Sequence, residues 1–248
     1  MKTVAVIGYS GSGKTTLIEG IIKELRGRGY SVASIKHVHG GKIDLAGKDT
    51  WRHVSSGSQL TIALSDNETL EFKPVKTELW EALWKLSGFD FVVVEGFKEI
   101  FYGAKIVVAN ELEEADKLFD PLVIAFSGKI ADSGLKEYKG IPVVKTENFK
   151  EIVNIIEKRA FTPPAGLNCG KCNFSNCKSL SIAILKNEAT IDECLLMKQL
   201  ETRLFVNGIE VKLNPFVSLV FKNVIMGLVN SLKGVEKPSE VEVKIKLI

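Results

Sequence analysis

The stretch "VAVIGYSGSGKTT" (residues 4–16) decides the fold of the first part of this chain. A short apolar run, typical of a buried strand, leads into a loop that fits G-x-x-x-x-G-K-[ST] through Gly8, Gly13, Lys14 and Thr15. Glycines let the backbone N–H groups wrap around phosphates, and the helix that follows points its positive end at them. In such loops the lysine reaches the β and γ phosphates, and the Thr15 hydroxyl ligates Mg²⁺. The stretch therefore predicts a nucleotide site at the start of an α/β domain.

Residues 1–160 alternate apolar runs with amphipathic helical patterns. This alternation is typical of a P-loop NTPase-type α/β fold, a mostly parallel sheet with helices on both faces. We expect strands at residues 3–8, 31–38, 59–65, 91–96, 105–109, 121–128 and 141–145. We expect helices at residues 15–27, 78–88 (with Thr77 as the cap) and 149–160.

The pattern changes at "FTPPAGLN" (161–168), where two adjacent prolines and a glycine predict a linker. Residues 169–248 predict a small α+β domain with a hairpin that turns at Asn207-Gly208. We expect a long helix at about 215–233, with its apolar residues in a core, and a final strand at 241–248.

Composition and charge argue against several classes of function. The chain has 248 residues, 25% of them charged, and a formal net charge of +3. Binding to a phosphate backbone usually needs a dense basic field, so no nucleic-acid partner is expected. The apolar stretch 216–232 contains Lys222 and Asn223 and falls short of a membrane span. With no targeting segment visible either, we expect a cytoplasmic protein without a membrane partner.

An acidic residue is expected beside the phosphate loop. In a parallel sheet it should lie at the carboxyl end of a neighbouring strand, in the crevice where ligands bind. The run "FVVVEG" places Glu95 at such a strand end. We expect Glu95 to bind Mg²⁺ or to order water, and we take Lys14 and Glu95 as the candidate catalytic residues.

Three further polar side chains lie where the second predicted strand ends, namely Lys36, His37 and His39. This strand end belongs to the same edge of the sheet as the phosphate loop. The three residues therefore either recognise an anion or a substrate, or form an ordinary polar strand end.

All four cysteines fall in one short region, at Cys169, Cys172, Cys177 and Cys194. Cytoplasmic thiols stay reduced, so the cluster indicates a metal centre before it indicates disulfides. Four thiolates can hold either a tetrahedral Zn²⁺ or a [4Fe–4S] cube. Structural zinc sites more often use two C-x₂-C pairs, and only one is present here, which favours the cube and leaves zinc as the alternative.

Several segments together resemble the MobB family, the P-loop GTP-binding proteins of molybdopterin guanine dinucleotide biosynthesis. The resemblance covers about residues 1–160 and is carried by "VAVIGYSGSGKTTL", "VASIKHVHG", "GKDTWRH", "VVVEGFK" and "AKIVV", in this order and spacing. It implies an adaptor with weak GTPase activity that assists the MobA nucleotidyltransferase, the enzyme that joins GMP to molybdopterin.

The same resemblance implies roles for individual residues. GTP phosphates and Mg²⁺ would be bound by the loop residues Gly8, Ser10, Gly11, Ser12, Gly13, Lys14, Thr15 and Thr16. Thr15 and Glu95 would ligate the Mg²⁺. Lys36, His37 and His39 would line the rim where nucleotide or molybdopterin is presented. No N-K-x-D stretch is present in the sequence, so the preference for guanine rests on the resemblance.

The stretch "CGKCNFSNCKSLSIAILKNEATIDEC" (169–194) resembles a small iron–sulfur module of electron-transfer and corrinoid-protein systems. Asn173 stands where that module usually has a glycine, and Ser181 where it usually has an alanine. The resemblance implies that the four cysteines hold a [4Fe–4S] cluster.

The sequence thus favours a GTP-binding accessory protein of molybdenum or tungsten cofactor biosynthesis, fused to an iron–sulfur domain. Two other hypotheses stay open. One is an ATPase of electron transfer or metallocentre maturation, and the other makes the carboxyl-terminal domain a zinc-stabilised interaction module. A homodimer is compatible with the sequence but not required by it.

Overall fold

The computed structural model describes residues 1–38, 49–198, 202–211, 213, 215–235, 238 and 241–245. In chain order the first part contains β1 (Lys2–Ile7), α1 (Lys14–Gly27), β2 (Val32–Lys36), α2 (Asp49–Ser55), β3 (Thr61–Leu64), β4 (Thr69–Phe72), α3 (Leu79–Lys85), β5 (Phe91–Glu95), β6 (Ala104–Val108), α4 (Leu112–Leu118), β7 (Val123–Ser127), β8 (Glu137–Tyr138), β9 (Ile141–Pro142) and α5 (Phe149–Arg159). A 3₁₀ helix, Lys129–Ser133, follows β7.

Five of these strands form one sheet in the order β2-β5-β1-β6-β7, and every neighbouring pair in it is parallel. The predicted α/β fold is confirmed. One face of the sheet is covered by α1 and α5, through buried residues such as Leu17, Ile21 and Ile152. The other face is covered by α3 and α4, through Leu83 and Leu118 among others. Each fully buried side chain of this kind contributes about 1.5–3 kcal/mol, so the two apolar layers hold the sheet in place.

The predicted strand at 59–65 does not join this sheet. Thr61–Leu64 pairs antiparallel with Thr69–Phe72 as a separate two-stranded hairpin. The tight turn between them is closed by the N–H of Ser65, which donates to the carbonyl of Glu68 at 3.0 Å. The partner strand is only a few residues away along the chain and satisfies the backbone hydrogen bonds of Thr61–Leu64. The apolar pattern predicts a strand here but does not show which strand it pairs with.

Two other expectations are corrected. Thr77 does not cap α3, because the helix begins after Glu78 and no side chain caps it. Of the predicted strand 141–145, only Ile141–Pro142 forms a strand, which pairs with the short Glu137–Tyr138. Val143 adds a single parallel bridge to Phe126 of β7.

The carboxyl-terminal part is made of short elements and one long helix. They are α6 (Cys177–Leu185), a 3₁₀ helix (Ile191–Glu193), α7 (Leu195–Lys198), β10 (Leu204–Val206), β11 (Ile209–Val211) and α8 (Pro215–Asn230). The predicted hairpin is confirmed, and both residues of its turn, Asn207 and Gly208, have positive φ. No helix in the described part of the chain is both long and apolar enough to cross a membrane.

Two predictions for this part are wrong. Residues 241–245 form no strand, and 246–248 lie outside the described residues. The apolar residues of α8 were expected in a core, but Val224 and Leu228 are 57% and 62% exposed. Helical periodicity identifies an apolar face without showing what covers it.

The segment 161–168 packs against the start of the chain. The carbonyl of Phe161 accepts the N–H of Thr3 at 3.1 Å, and Thr162 Oγ1 donates to the carbonyl of Met1 at 2.8 Å. These contacts lie at the amino end of β1, whereas the phosphate loop follows its carboxyl end. The strand has six residues, which at about 3.3 Å per residue separates the two edges of the sheet by roughly 20 Å.

Candidate functional site

The phosphate loop joins the carboxyl end of β1 to the first turn of α1. Gly13 precedes α1 with φ 92° and ψ 12°, a left-handed conformation that favours glycine. A Cβ atom on Gly8 would overlap the carbonyl oxygen of Val108 and come within 2.5 Å of Ser12 Oγ. The loop backbone therefore requires glycine at both positions. The first N–H groups of α1 have no partner within the helix, which leaves them available to an anion.

Two side chains of the loop are arranged as a phosphate site would need. Lys14 Nζ donates to the carbonyl of Tyr9 at 2.6 Å, so the ammonium group lies over the loop. Ser12 Oγ is buried and has no hydrogen-bond partner within the described residues. A buried hydroxyl without a partner is costly, and a bound phosphate oxygen would satisfy it. Ser10 and Gly11 are exposed in the loop, and Thr15 and Thr16 are exposed in the first turn of α1. The loop therefore fits a nucleotide phosphate.

Glu95 lies at the same edge of the sheet. It ends β5, where it is in register with Val6 of β1 on one side and with Lys36 of β2 on the other. The N–H of Gly96 donates to the carbonyl of Val6 at 3.0 Å, which ties the end of β5 to the strand that carries the phosphate loop. The Glu95 side chain is half-buried. A carboxylate in this place can bind a cation or orient water beside the loop.

The rim beyond Glu95 is formed by Lys36 and His37. The N–H of His37 donates to the carbonyl of Glu95 at 3.0 Å, and its ring stacks on Phe97 with the centroids 4.3 Å apart. Phe97 has φ 55°, which a phenylalanine rarely adopts. The structure thus brings Lys36 and His37 together with Glu95, while His39 lies outside the described residues.

Sequence reasoning missed two residues at this edge, Phe97 and Lys98. Phe97 supports His37, and Lys98 Nζ lies 5.8 Å from the centre of the Tyr9 ring in the phosphate loop. The sequence signal that could have identified them is their position directly after Glu95, at the end of a buried strand.

The four cysteines line one small cavity at the opposite edge of the sheet, together with Pro164, Leu180, Leu195 and other residues. All four are free thiols, and Cys177 and Cys194 are buried whereas Cys169 is exposed. Burial raises the pKa of Cys177, against hydrogen bonds from the backbone of Asn168 and Gly166 that lower it. Among the described residues, no three His, Cys, Asp or Glu side chains are grouped so that they could hold one metal ion. The thiols share a cavity without converging on a single point.

Comparisons with known proteins found matches for the part that carries the phosphate loop and for the part that carries the cysteines. The family model described as "Molybdopterin guanine dinucleotide synthesis protein B" matches residues 3–128, and one described as "Putative Fe-S cluster" matches residues 165–196. A protein of Methanocaldococcus jannaschii named "Putative molybdopterin-guanine dinucleotide biosynthesis adapter protein" is 32% identical over 99% of this chain and 97% of its own length.

Other relatives match a smaller share of the chain. The "Molybdopterin-guanine dinucleotide biosynthesis adapter protein" of Haemophilus influenzae is 41% identical over 39% of this chain and 57% of its own length. The crystal structure of Bacillus subtilis MobB superposes with a TM-score of 0.55 at 24% identity, covering 65% of this chain and 99% of that one. The structural match concerns the fold alone. Since the family model spans half of the sequence and the archaeal relative nearly all of it, this chain belongs to the MobB family, and its carboxyl-terminal part carries an iron–sulfur family segment.

Proposed function

We propose that this chain is a GTP-binding adaptor of molybdenum or tungsten cofactor biosynthesis, which assists a MobA-like nucleotidyltransferase in attaching GMP to molybdopterin. The observation that carries the proposal is the edge of the parallel sheet where the phosphate loop, Glu95 and Lys36 meet, in a chain of this family. The names of its relatives support the pathway. The proposal divides the chain into a nucleotide-binding domain, residues 1–160, and an iron–sulfur domain, residues 169–248.

In this proposal GTP lies with its phosphates in the loop of residues 8–16. The backbone N–H groups at the start of α1 and the Lys14 ammonium hold the β and γ phosphates, and Ser12 Oγ donates to a phosphate oxygen. Thr15 and Glu95 are the oxygen ligands that would hold Mg²⁺, which supplies positive charge next to the phosphates. Lys14 and Glu95 are then the residues on which slow hydrolysis depends.

The rim beside the nucleotide carries basic side chains and suits an anionic ligand. Lys36 and His37 lie on the strand next to Glu95, within the same edge. They, with His39, would contact either the nucleotide or molybdopterin. No arginine or general base is evident beside the loop in the sequence, which suits an adaptor with weak GTPase activity better than a fast enzyme.

The four cysteines would hold a [4Fe–4S] cluster, with Zn²⁺ as the alternative. The donor set fits the cluster, because four cysteines line one cavity whose other walls include apolar side chains. Such a cluster supplies one-electron transfer when bound. The match of residues 165–196 to an iron–sulfur family supports iron over zinc.

Calorimetry on the full chain tests the nucleotide site. Binding of GTP·Mg²⁺ and of ATP·Mg²⁺ is compared for the native chain, Lys14→Ala and Lys23→Ala, a matched control on the exposed side of the same helix. Lys14→Ala should weaken GTP binding at least about tenfold, or about 1.4 kcal/mol. Unchanged affinity in Lys14→Ala would contradict the site, and a clear preference for ATP would instead favour a metallocentre-maturation ATPase. Addition of the native chain to a MobA-like enzyme should raise GMP attachment, and Lys14→Ala should not.

A further inference from the structure

Residues 166–168 lie between the nucleotide-binding domain and a buried cysteine. Gly166 has φ 76°, and a Cβ atom on it would overlap the indole ring of Trp80 in α3. Glycine is therefore required at position 166, both for the positive φ and for the close approach to Trp80. The Trp80 ring fixes the backbone at this point.

Asn168 makes the second attachment. It has φ 45°, a left-handed conformation in which asparagine is favoured over most residues. Its Nδ2 donates to the Tyr102 hydroxyl at 3.2 Å, and its Oδ1 accepts the N–H of Cys177 at 2.9 Å. Tyr102 in turn stacks on Trp80 with the ring centroids 5.3 Å apart. One asparagine thus joins an aromatic pair of the nucleotide-binding domain to the first residue of α6.

The Asn168 side chain also fixes the backbone of a buried cysteine. Cys177 is 8% exposed, and its N–H donates to Asn168 Oδ1. Partners that hold a ligating residue in place orient its ligand atom and tune the centre that it holds. The surroundings of the sulfur atoms are among the features that set the reduction potential of an iron–sulfur cluster.

We propose that Asn168 is a positioning residue of the cluster site and that the nucleotide-binding domain, through Trp80 and Tyr102, holds the segment that orients Cys177. The inference rests on the proposed [4Fe–4S] cluster. Its consequence is that the cysteine-bearing segment does not form its metal site alone. Asn168 holds Cys177 through the backbone N–H of that cysteine, while the cysteine sulfur remains the ligand.

The test uses the full chain, purified without oxygen. Asn168→Ala and Asn168→Gly both remove the side chain, but only glycine tolerates the left-handed conformation freely. Loss of an outer partner of a metal ligand typically costs about 10–100-fold in affinity, so a chelator should remove iron at least about tenfold faster from both variants. Their reduction potential should also differ from that of the native chain. Asn187→Ala is the matched control, because Asn187 also has positive φ and lies at the other end of α6.

If Asn168→Gly loses iron at the native rate and keeps the native reduction potential, the inference is overturned, since the Asn168 side chain would then have no role. The contribution of the other domain is tested by Tyr102→Phe, which removes one hydrogen bond and should speed iron loss about two- to tenfold. Tyr138→Phe, which removes a tyrosine hydroxyl bonded to Asp116, is its control and should change nothing. If both tyrosine variants lose iron at the same rate, Tyr102 does not help to position the cluster site.

A measurement without the cluster separates this inference from the proposed cofactor. Asn168 Oδ1 accepts the Cys177 N–H, so amide hydrogen exchange at Cys177 should be faster in both Asn168 variants of the metal-free chain. If the native chain carries no iron and sulfide, the proposed cofactor fails and amide exchange decides the positioning role. Unchanged exchange at Cys177 in both variants would contradict that role even in a chain that carries the cluster.

Discussion

Asp120 is the residue whose replacement gives the sharpest test of how the two parts are held together. Its carboxylate lies between two lysines, at 3.0 Å from Lys105 Nζ and 2.8 Å from Lys178 Nζ. Lys105 belongs to β6 and its side chain is only 1% exposed, whereas Lys178 belongs to α6 and is 41% exposed. Lys105 Nζ also donates to the carbonyl of Lys98 at 2.8 Å. One carboxylate therefore neutralises a buried cation and attaches α6.

The two ion pairs are expected to contribute differently to the free energy of unfolding. Removing one partner of a buried pair leaves an uncompensated charge and typically costs about 3–5 kcal/mol. An exposed pair contributes at most about 1 kcal/mol. Burial lowers the pKa of Lys105, so loss of its proton can relieve part of the cost. We expect Asp120→Asn to lower the free energy of unfolding by about 3 kcal/mol at pH 7, and Lys178→Gln by no more than about 1 kcal/mol.

The effect of Asp120 should depend on pH. Burial alone would raise the pKa of Asp120, but Lys178 and Lys105, with the backbone N–H of Leu122, outweigh it and hold the pKa below the ordinary value of 3.8. A carboxyl with a lowered pKa contributes its full stability above that ordinary value and loses it as the pH falls through the folded-state pKa. The difference between the native chain and Asp120→Asn should therefore shrink below about pH 4.

Urea unfolding followed by tryptophan fluorescence measures these differences, because Trp80 and Trp84 lie in α3. The native chain and both variants are compared at pH 7 and again in acid. A cost for Asp120→Asn that is as small as that for Lys178→Gln would refute the buried-pair reasoning. So would a difference that stays constant as the pH falls.

Three more outcomes are expected. Glu95→Gln should reduce GTP turnover and its dependence on Mg²⁺ more than it reduces GTP binding, as steady-state kinetics and calorimetry can show; an equal loss of both would count against its assigned role. GTP hydrolysis by the isolated chain should be slow, on the order of intrinsic Ras-like rates, and fast turnover without a partner would argue against an adaptor. Cys177→Ser should abolish or cripple the cluster, as iron analysis would show, yet leave GTP affinity unchanged by calorimetry; loss of GTP binding would contradict the division into two domains.

Local signals in the sequence were enough for the phosphate loop and the main strands. The loop motif, its preceding apolar run and its following helix are contiguous, so residues 4–16 determine that unit directly. The hairpin at Asn207-Gly208 was predicted for the same reason, since two residues with positive φ define its turn. Both features depend on short-range backbone preferences.

Features that depend on distant contacts could not be predicted. Glu95 was expected at a strand end beside the phosphate loop, but that its strand lies between β1 and β2 depends on strand order, which no pattern along the chain reports. The two prolines at 163–164 indicated a linker, but the neighbouring Phe161 and Thr162 bond to the start of β1. Asn168 is an unremarkable polar residue in the sequence, and only its contacts with Tyr102 and Cys177 reveal its place.

The central claim is that one chain of the MobB family joins a nucleotide site to an iron–sulfur site. Iron, acid-labile sulfide and zinc are measured in protein purified without exposure to air. The account predicts about four iron and four sulfide per chain, with little zinc. One zinc per chain without sulfide would contradict the cluster and would leave the four cysteines as a zinc-stabilised module.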